Sequence, residues 1–427
     1  MKKNIGILIA NWAGVNIGDD AIFSVLLKII HTEVSKTARI FVLADNDKAI
    51  RANYHIKDAA RLFDFYKLCN LEKTVRFLKD SDLVIYGGGD VISGNIKSMS
   101  FLAMAKILGL PIMCCSVGVI PLKFQLKRVF TRIVLNHADL ITVRDPKSEE
   151  RLRELGVNKP QTIVTSDLAF LLSPNVSQNK LLQEINQHCD NSKIKVGISV
   201  RPFDPMYSSY KIWTEDKLII DMPTVCDYII EKYNATLVFI PMVSKKRTRD
   251  YHRELKCDDE LSRQIVEKMK NKGSAIVINA DYPAEDLMGL LSEMQMVIAA
   301  RLHVLLLASV AKVPVIALEY APKIKSFMAL MNRARYSLDM NKLTKTNLMN
   351  LIDKVMSERD KGNSTDLKRY VERAEVTGGK INEILKSTKR NYGRFYLFLP
   401  IVPLVTLLNY IHSIAQRLYN HFYGLQK

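Results

Sequence analysis

A chain of 427 residues is longer than one ordinary core can fill, so two domains of roughly 150–200 residues are expected. At 48% apolar and 25% charged, with no low-complexity run or internal repeat, it has the make-up of a folded protein. The net charge of +18 calls for an anionic partner. With no zinc-finger spacing, RNP-like strand or basic-zipper pattern, nucleic acid is set aside in favour of anionic substrates and membrane surfaces.

The first ten residues place two lysines before an apolar run too short for a signal peptide, which reads as a first strand over residues 5–10. Further strands are predicted at 40–43, 83–86, 112–116, 140–143 and 163–165, with helices at 21–31, 71–79, 99–108, 123–137 and 147–155. Apolar runs without alternation, each followed by a helix, predict a parallel sheet covered on both faces, hence a doubly wound domain over residues 1–175.

The turns at its strand ends carry the chemistry. Asn16-Ile17-Gly18-Asp19-Asp20 opens the first helix, where Asp19 or Asp20 can cap the helix or the helix start can receive a polar ligand. Gly87-Gly88-Gly89-Asp90 follows the third strand run. Three glycines there admit a ligand or a packed helix, and Asp90 either holds a ligand hydroxyl or caps. Ser116-Val117-Gly118 and Arg144-Asp145 end two further strands, the latter pairing and capping the next helix, and Asp167 binds backbone amides or faces the ligand.

After a polar stretch around 173–192 the pattern restarts over residues 190–380. Strands are predicted at 194–200, 236–240, 275–279, 296–299 and 315–318, with helices at 222–232, 258–270, 284–293 and 303–311. Two Rossmann-like α/β domains facing a cleft make a GT-B-like architecture, with ligands beyond the carboxyl ends of the strands. Arg201 and Arg301 each stand just past a buried strand, placed for bidentate binding of carboxylate or phosphate. His303, at a helix start beside Arg301, is positioned to exchange protons. Glu319, Tyr320 and Lys323 end the last strand, where Lys323 either closes the anion pocket or is a solvated lysine.

Residues 384–427 differ in kind: Glu383 is the last acidic residue, and Lys386, Lys389, Arg390 and Arg394 precede a 14-residue apolar run, 395–408, that holds two prolines. That is shorter than the ~20 residues a spanning helix needs and, with its flanking aromatics, predicts an interfacial anchor on an anionic membrane. The alternative is a helix packed on the body. Six cysteines without a CxxC pair read as reduced structural thiols in a cytosolic protein.

Taken in order, these turns resemble the polysaccharide pyruvyltransferase family. The pattern runs from Asn-x-Gly-Asp at 16–19 through Gly-Gly-Gly-Asp, Gly-x-x-Pro-Leu, Arg-Asp-x-x-Ser, Asp-x-Ala-Phe and Arg-x-His to Val-Pro-x-Ile-Ala-Leu-x-Tyr-x-Pro-Lys, spanning about residues 5–327. Each motif is weak and seven in order are specific. Ile120 departs from the glycine expected before Pro121 in many relatives, which bears on the acceptor pocket.

The resemblance implies phosphoenolpyruvate as donor, used as a co-substrate with neither metal nor cofactor. The acceptor would be a saccharide, lipid-linked or free, at the inner face of the cytoplasmic membrane. Carried over by position, Arg201, Arg301 and Lys323 would bind the donor and His303 would be the acid/base residue. Asp19, Gly88, Gly89 and Asp90 would line the acceptor side. A nucleotide-sugar glycosyltransferase and a catalytically silent membrane-bound assembly subunit are the rival readings.

Overall fold

A computed structural model of the protein describes residues 4–8, 13–44, 46–61, 75–189, 192–202, 215–248, 256–358 and 367–387. Its contacts divide into two compact units. Among the described residues, the first holds the opening strand, those within Leu26–Leu168 and those from Glu372 to Ser387; the second holds Ala13–Val25 and those within Ala169–Val371.

In the first unit seven strands run in parallel: β1 (Asn4–Leu8), β2 (Arg39–Ala44), β3 (Asp58–Arg61), β4 (Leu83–Ile92), β5 (Ile112–Val119), β6 (Leu140–Val143) and β7 (Gln161–Val164), in the order β3-β2-β1-β4-β5-β6-β7. β5 is buried at every residue, as its unbroken apolar run requires for a strand covered on both faces. Its core includes Tyr86, Phe101, Leu102, Ile112 and Phe130.

The second unit repeats the plan with six strands: β8 (Ile194–Ser199), β9 (Ala235–Phe239), β10 (Ala275–Val277), β11 (Met296–Ala299), β12 (Val315–Glu319) and β13 (Ser337–Asp339). Their order is β10-β9-β8-β11-β12-β13, all parallel. Both units are therefore doubly wound α/β sheets, each with a topological switch point, β1/β4 in one and β8/β11 in the other.

Several expectations are corrected. The first helix spans Ile17–Ile29 rather than starting at 21, so Asp19 and Asp20 lie in its first turn instead of capping it. β4 does not end before its glycines but continues through them to Ile92. Gly89 adopts a φ of 84°, open to glycine, and the ladder with β5 shifts register between Gly89 and Ile92. The polar stretch around 173–192 contains the helix Lys180–His188, capped by Asn179 and anchored by buried Leu181 and Ile185. Short β3 and β13, and the helices Asp47–Tyr54, Pro322–Leu330, Lys345–Ser357 and Lys368–Ser387, had no counterpart in the predicted set. Beyond Ser387 the anchor proposed for 384–427 lies outside the described residues. Among the described residues no helix is long and apolar enough to cross a membrane.

Candidate functional site

The site grows from the register of the second sheet. Ser199 of β8 pairs with Ala299 of β11, and Ala299 with Ala317 of β12. Two residues past those positions come Arg201, Arg301 and Glu319, level with one another at the carboxyl ends of three adjacent central strands. Arg201 and Arg301 flank the β8/β11 switch point, where crossovers diverge to opposite faces and leave the strand ends open.

Tyr320 gathers the cations. Its side chain is buried, and the Arg201 guanidinium lies over its ring at 4.4 Å from the centroid. Burial pushes the phenol up, but Lys323, Arg201 and Arg301, with a hydrogen bond from Arg201, more than offset this and hold it below its ordinary value. All three predicted donor ligands thus act on one phenol. Lys323 sits in the first turn of the helix Pro322–Leu330, where the macrodipole disfavours a cation.

Arg301 is the N-terminal flank of the helix Leu302–Val310, and its carbonyl accepts from Leu305. Its Nε donates to Oδ2 of Asp258 at 2.9 Å, and its Nη2 donates to Oδ1. Asp258 is fully buried and also accepts from the backbone of Met242 (3.0 Å) and Val243 (3.2 Å). A charge removed from water in this way needs such pairing. Sequence reading missed Asp258, which opens the run Asp258-Asp259-Glu260 and looks there like an ordinary acidic helix start.

The same loop holds the N-terminal motif. The amide of Ile17 donates to the carbonyl of Met242 at 3.1 Å. Asp20 accepts from the amide of Gly14 at 2.6 Å and forms a buried ion pair with Arg247, which also donates to the carbonyl of Ala280. Asp19, assigned by the resemblance to the acceptor side, accepts from the Asn16 side chain at 3.0 Å and lies in the second unit. Gly18 meets His303: a Cβ built on Gly18 would fall on the imidazole. Asn16-Ile17-Gly18-Asp19-Asp20, Asp258, Arg301 and His303 are thus one connected assembly.

In the first unit, Gly88, Gly89 and Asp90 lie on β4 beside the β1/β4 switch point, and the Asp90 side chain, to which the resemblance gives a role, is not among those described. Ser116 on neighbouring β5 takes a left-handed φ of 50°, a conformation that costs a non-glycine residue about 1–3 kcal/mol. Its amide donates to Thr142 Oγ1 (2.7 Å) and its hydroxyl to the carbonyl of Ser166 (2.5 Å), which hold it there. Asp145 caps the helix Pro146–Leu155 through the amide of Ser148, as expected. Arg144 pairs with Asp145 and also with Asp167 (3.3 Å), a partner not foreseen for that carboxylate. Cys114 and Cys115 are free and buried, and burial pushes the Cys115 thiol up to about 12, so neither is an activated nucleophile. Among the described residues no cluster of three or more His, Cys, Asp or Glu stands ready for a metal ion.

Comparison with known proteins defines the class first. The fold is GT-B-like, similar to the UDP-GlcNAc 2-epimerase from Methanocaldococcus jannaschii (TM-score 0.59, 13% identity, 90% of this chain and 100% of that one). It is also similar to a putative UDP-N-acetylglucosamine 2-epimerase from Listeria monocytogenes (0.60, 14%, 91% and 98%). A third similar structure is Anabaena HepE in complex with UDP and glucose (0.57, 14%, 91% and 100%). At these identities the likeness is one of fold alone. No curated protein matches the chain. The family model for polysaccharide pyruvyl transferase matches residues 16–322, and the chain belongs to that family.

Proposed function

We propose that the protein transfers the enolpyruvyl unit of phosphoenolpyruvate to two hydroxyls of one sugar in a cell-surface polysaccharide or its lipid-linked precursor, forming a pyruvate ketal. The observation that carries this reading is that Arg201 and Arg301 stand level past the ends of β8 and β11, with Arg201 over the Tyr320 ring and buried His303 on the helix that Arg301 opens. A small, dense trianion with a carboxylate and a phosphate suits such a cluster.

In the proposed reaction His303 protonates C3, which becomes a methyl group, and cationic character develops at C2. One sugar hydroxyl adds to C2, the C2–O bond to phosphate breaks, and the second hydroxyl closes the ketal. Of the two hydroxyl protons, one replaces the proton taken up at C3 and the other leaves with phosphate. The arginines and Lys323 offset charge on the departing phosphate from fixed positions, so little reorganisation accompanies the step.

The test is phosphate release from phosphoenolpyruvate across a panel of soluble and lipid-linked saccharides. His303→Ala should lower turnover about 10²–10⁴-fold with donor binding largely kept. Near-normal turnover in that variant would remove His303 from its role. The nucleotide-sugar neighbours and the buried Glu319 keep a glycosyltransferase as the second reading. Thermal stabilisation by UDP-sugars but not by phosphoenolpyruvate would favour it.

A further inference from the structure

From residue 91 to residue 138 the chain contains no acidic residue, while Lys97, Lys106, Lys123, Lys127, Arg128 and Arg132 fall within that span. Its centre is the loop after β5 and the helix Gln125–Leu135. The helix buries Phe130, Thr131, Val134 and Leu135 but leaves its start outside: Phe124 is 62% and Leu126 53% exposed, with Pro121, Lys123 and Gln125 exposed around them. Lys127 Nζ stands 5.3 Å from the Phe124 ring centroid. An aromatic and a leucine ringed by lysines are what an interfacial membrane contact presents.

The arrangement is held in place. Leu122 is buried against Gly94, where a Cβ would come within 2.3 Å of Leu122 Cδ2. Arg128 donates to the carbonyls of Leu122 (3.5 Å) and Glu154 (3.2 Å), and Arg151 to that of Val119 (2.6 Å). The loop is thus pinned from below while Phe124 and Leu126 point away from the core. The first turn of this helix also has no acidic residue, although the macrodipole would favour one there, and Lys127 and Arg128 follow directly. Neither helix stability nor the core accounts for these choices; an anionic surface outside the protein accounts for both.

We propose that the 120–128 segment is a membrane-docking surface, with Phe124 and Leu126 entering the headgroup region of an anionic bilayer and Lys123 and Lys127 engaging its lipid phosphates. It begins at the end of β5, which pairs with β4 through Gly89 and Ile92, so docking brings the glycine strand of the first unit toward the bilayer. The docking does not depend on the reaction proposed above; only its use for a lipid-linked acceptor does.

Co-sedimentation of the full chain with vesicles tests this directly. The protein should bind vesicles carrying roughly a third phosphatidylglycerol and bind pure phosphatidylcholine far more weakly, with loss on raising salt from roughly 0.1 to 0.5 M. Phe124→Ser with Leu126→Ser should weaken partition at least about tenfold, each side chain contributing through its apolar area. Lys123→Gln with Lys127→Gln should weaken it roughly 25-fold, about fivefold per residue. All four positions are on the surface, so melting temperature and any phosphate release with a soluble acceptor should stay unchanged. Equal binding to both vesicle types, or wild-type partition in both variants, would overturn the proposal. So would a serine variant that loses self-association while still binding vesicles, since the face would then belong to a second copy of the chain. Absence of phosphate release would count against the reaction and leave the binding result intact.

Discussion

A methyl group placed on Gly18 would lie 2.2 Å from Nδ1 of His303 and 2.7 Å from its Cβ, so the imidazole rests on the backbone of the first helix. In an ordinary helix Gly→Ala gains roughly 1 kcal/mol. Here overpacking costing about 1–3 kcal/mol opposes that gain and displaces the ring. Gly18→Ala should therefore lower turnover at least about tenfold while the melting temperature changes little. Steady-state kinetics beside a thermal melt measure both, and full activity would show that the ring tolerates the shift.

Asp258 holds Arg301 by two hydrogen bonds and two backbone amides by two more. Asp258→Ala should destabilise the protein by about 3–5 kcal/mol, since Arg301 would remain largely buried without its counter-charge. On the reaction proposed above, Asp258→Asn, which keeps the shape, should raise KM for phosphoenolpyruvate more than it lowers kcat. Denaturant unfolding and kinetics on the two variants separate stability from orientation.

Tyr320 carries a pH signature. Its phenol is held low in the folded protein by Lys323, Arg201 and Arg301 against the upward push of burial. Between that lowered value and the ordinary phenol value of about 10, the unfolded chain binds more protons than the folded one, so stability from this group rises with pH and is lost as pH falls. The wild-type advantage in melting temperature over Tyr320→Phe should accordingly grow as pH is raised from neutrality toward 10. A pH-independent difference would place the phenol outside the influence of the cations.

Asp20 and Arg247 form a pair buried on both sides. Asp20→Asn or Arg247→Met alone should cost about 3–5 kcal/mol by leaving the other charge unpaired. The double variant should lose less than the sum, with a coupling of about 1–3 kcal/mol in a double-mutant cycle. Simple additivity would mean that the two side chains act independently.

The central strands can be read directly from their runs, such as Met113-Cys114-Cys115 and Val297-Ile298-Ala299, because burial on both faces demands continuous apolar residues. Asp58-Ala59-Ala60-Arg61 and Ser337-Leu338-Asp339 carry no such run; they are strands because β2 and β12 offer them an edge. Gly87-Gly88-Gly89 advertises close approach but not whether the chain turns there, and a register shift with β5 keeps it in the sheet. Arg201, Arg301 and His303 stand out because each follows a strand. Asp258 does not, since its partner is 43 residues away and its neighbours imitate a helix start. Gly18 advertises a tight turn at a helix start, whereas what its missing side chain makes room for is the His303 ring.

The separation of Gly18 from His303 also sets an order in time. About 285 residues lie between them, and at roughly 5–20 residues per second the ribosome takes roughly 15–60 s to supply the second after the first. Throughout that interval the start of the first helix has neither the Met242 carbonyl nor Arg247 nor the imidazole to rest on. The first sheet can close during synthesis, but the half of the molecule that bears the cations completes only when the earliest and latest motifs meet. A fragment begun at Ala169 would lack that partner altogether.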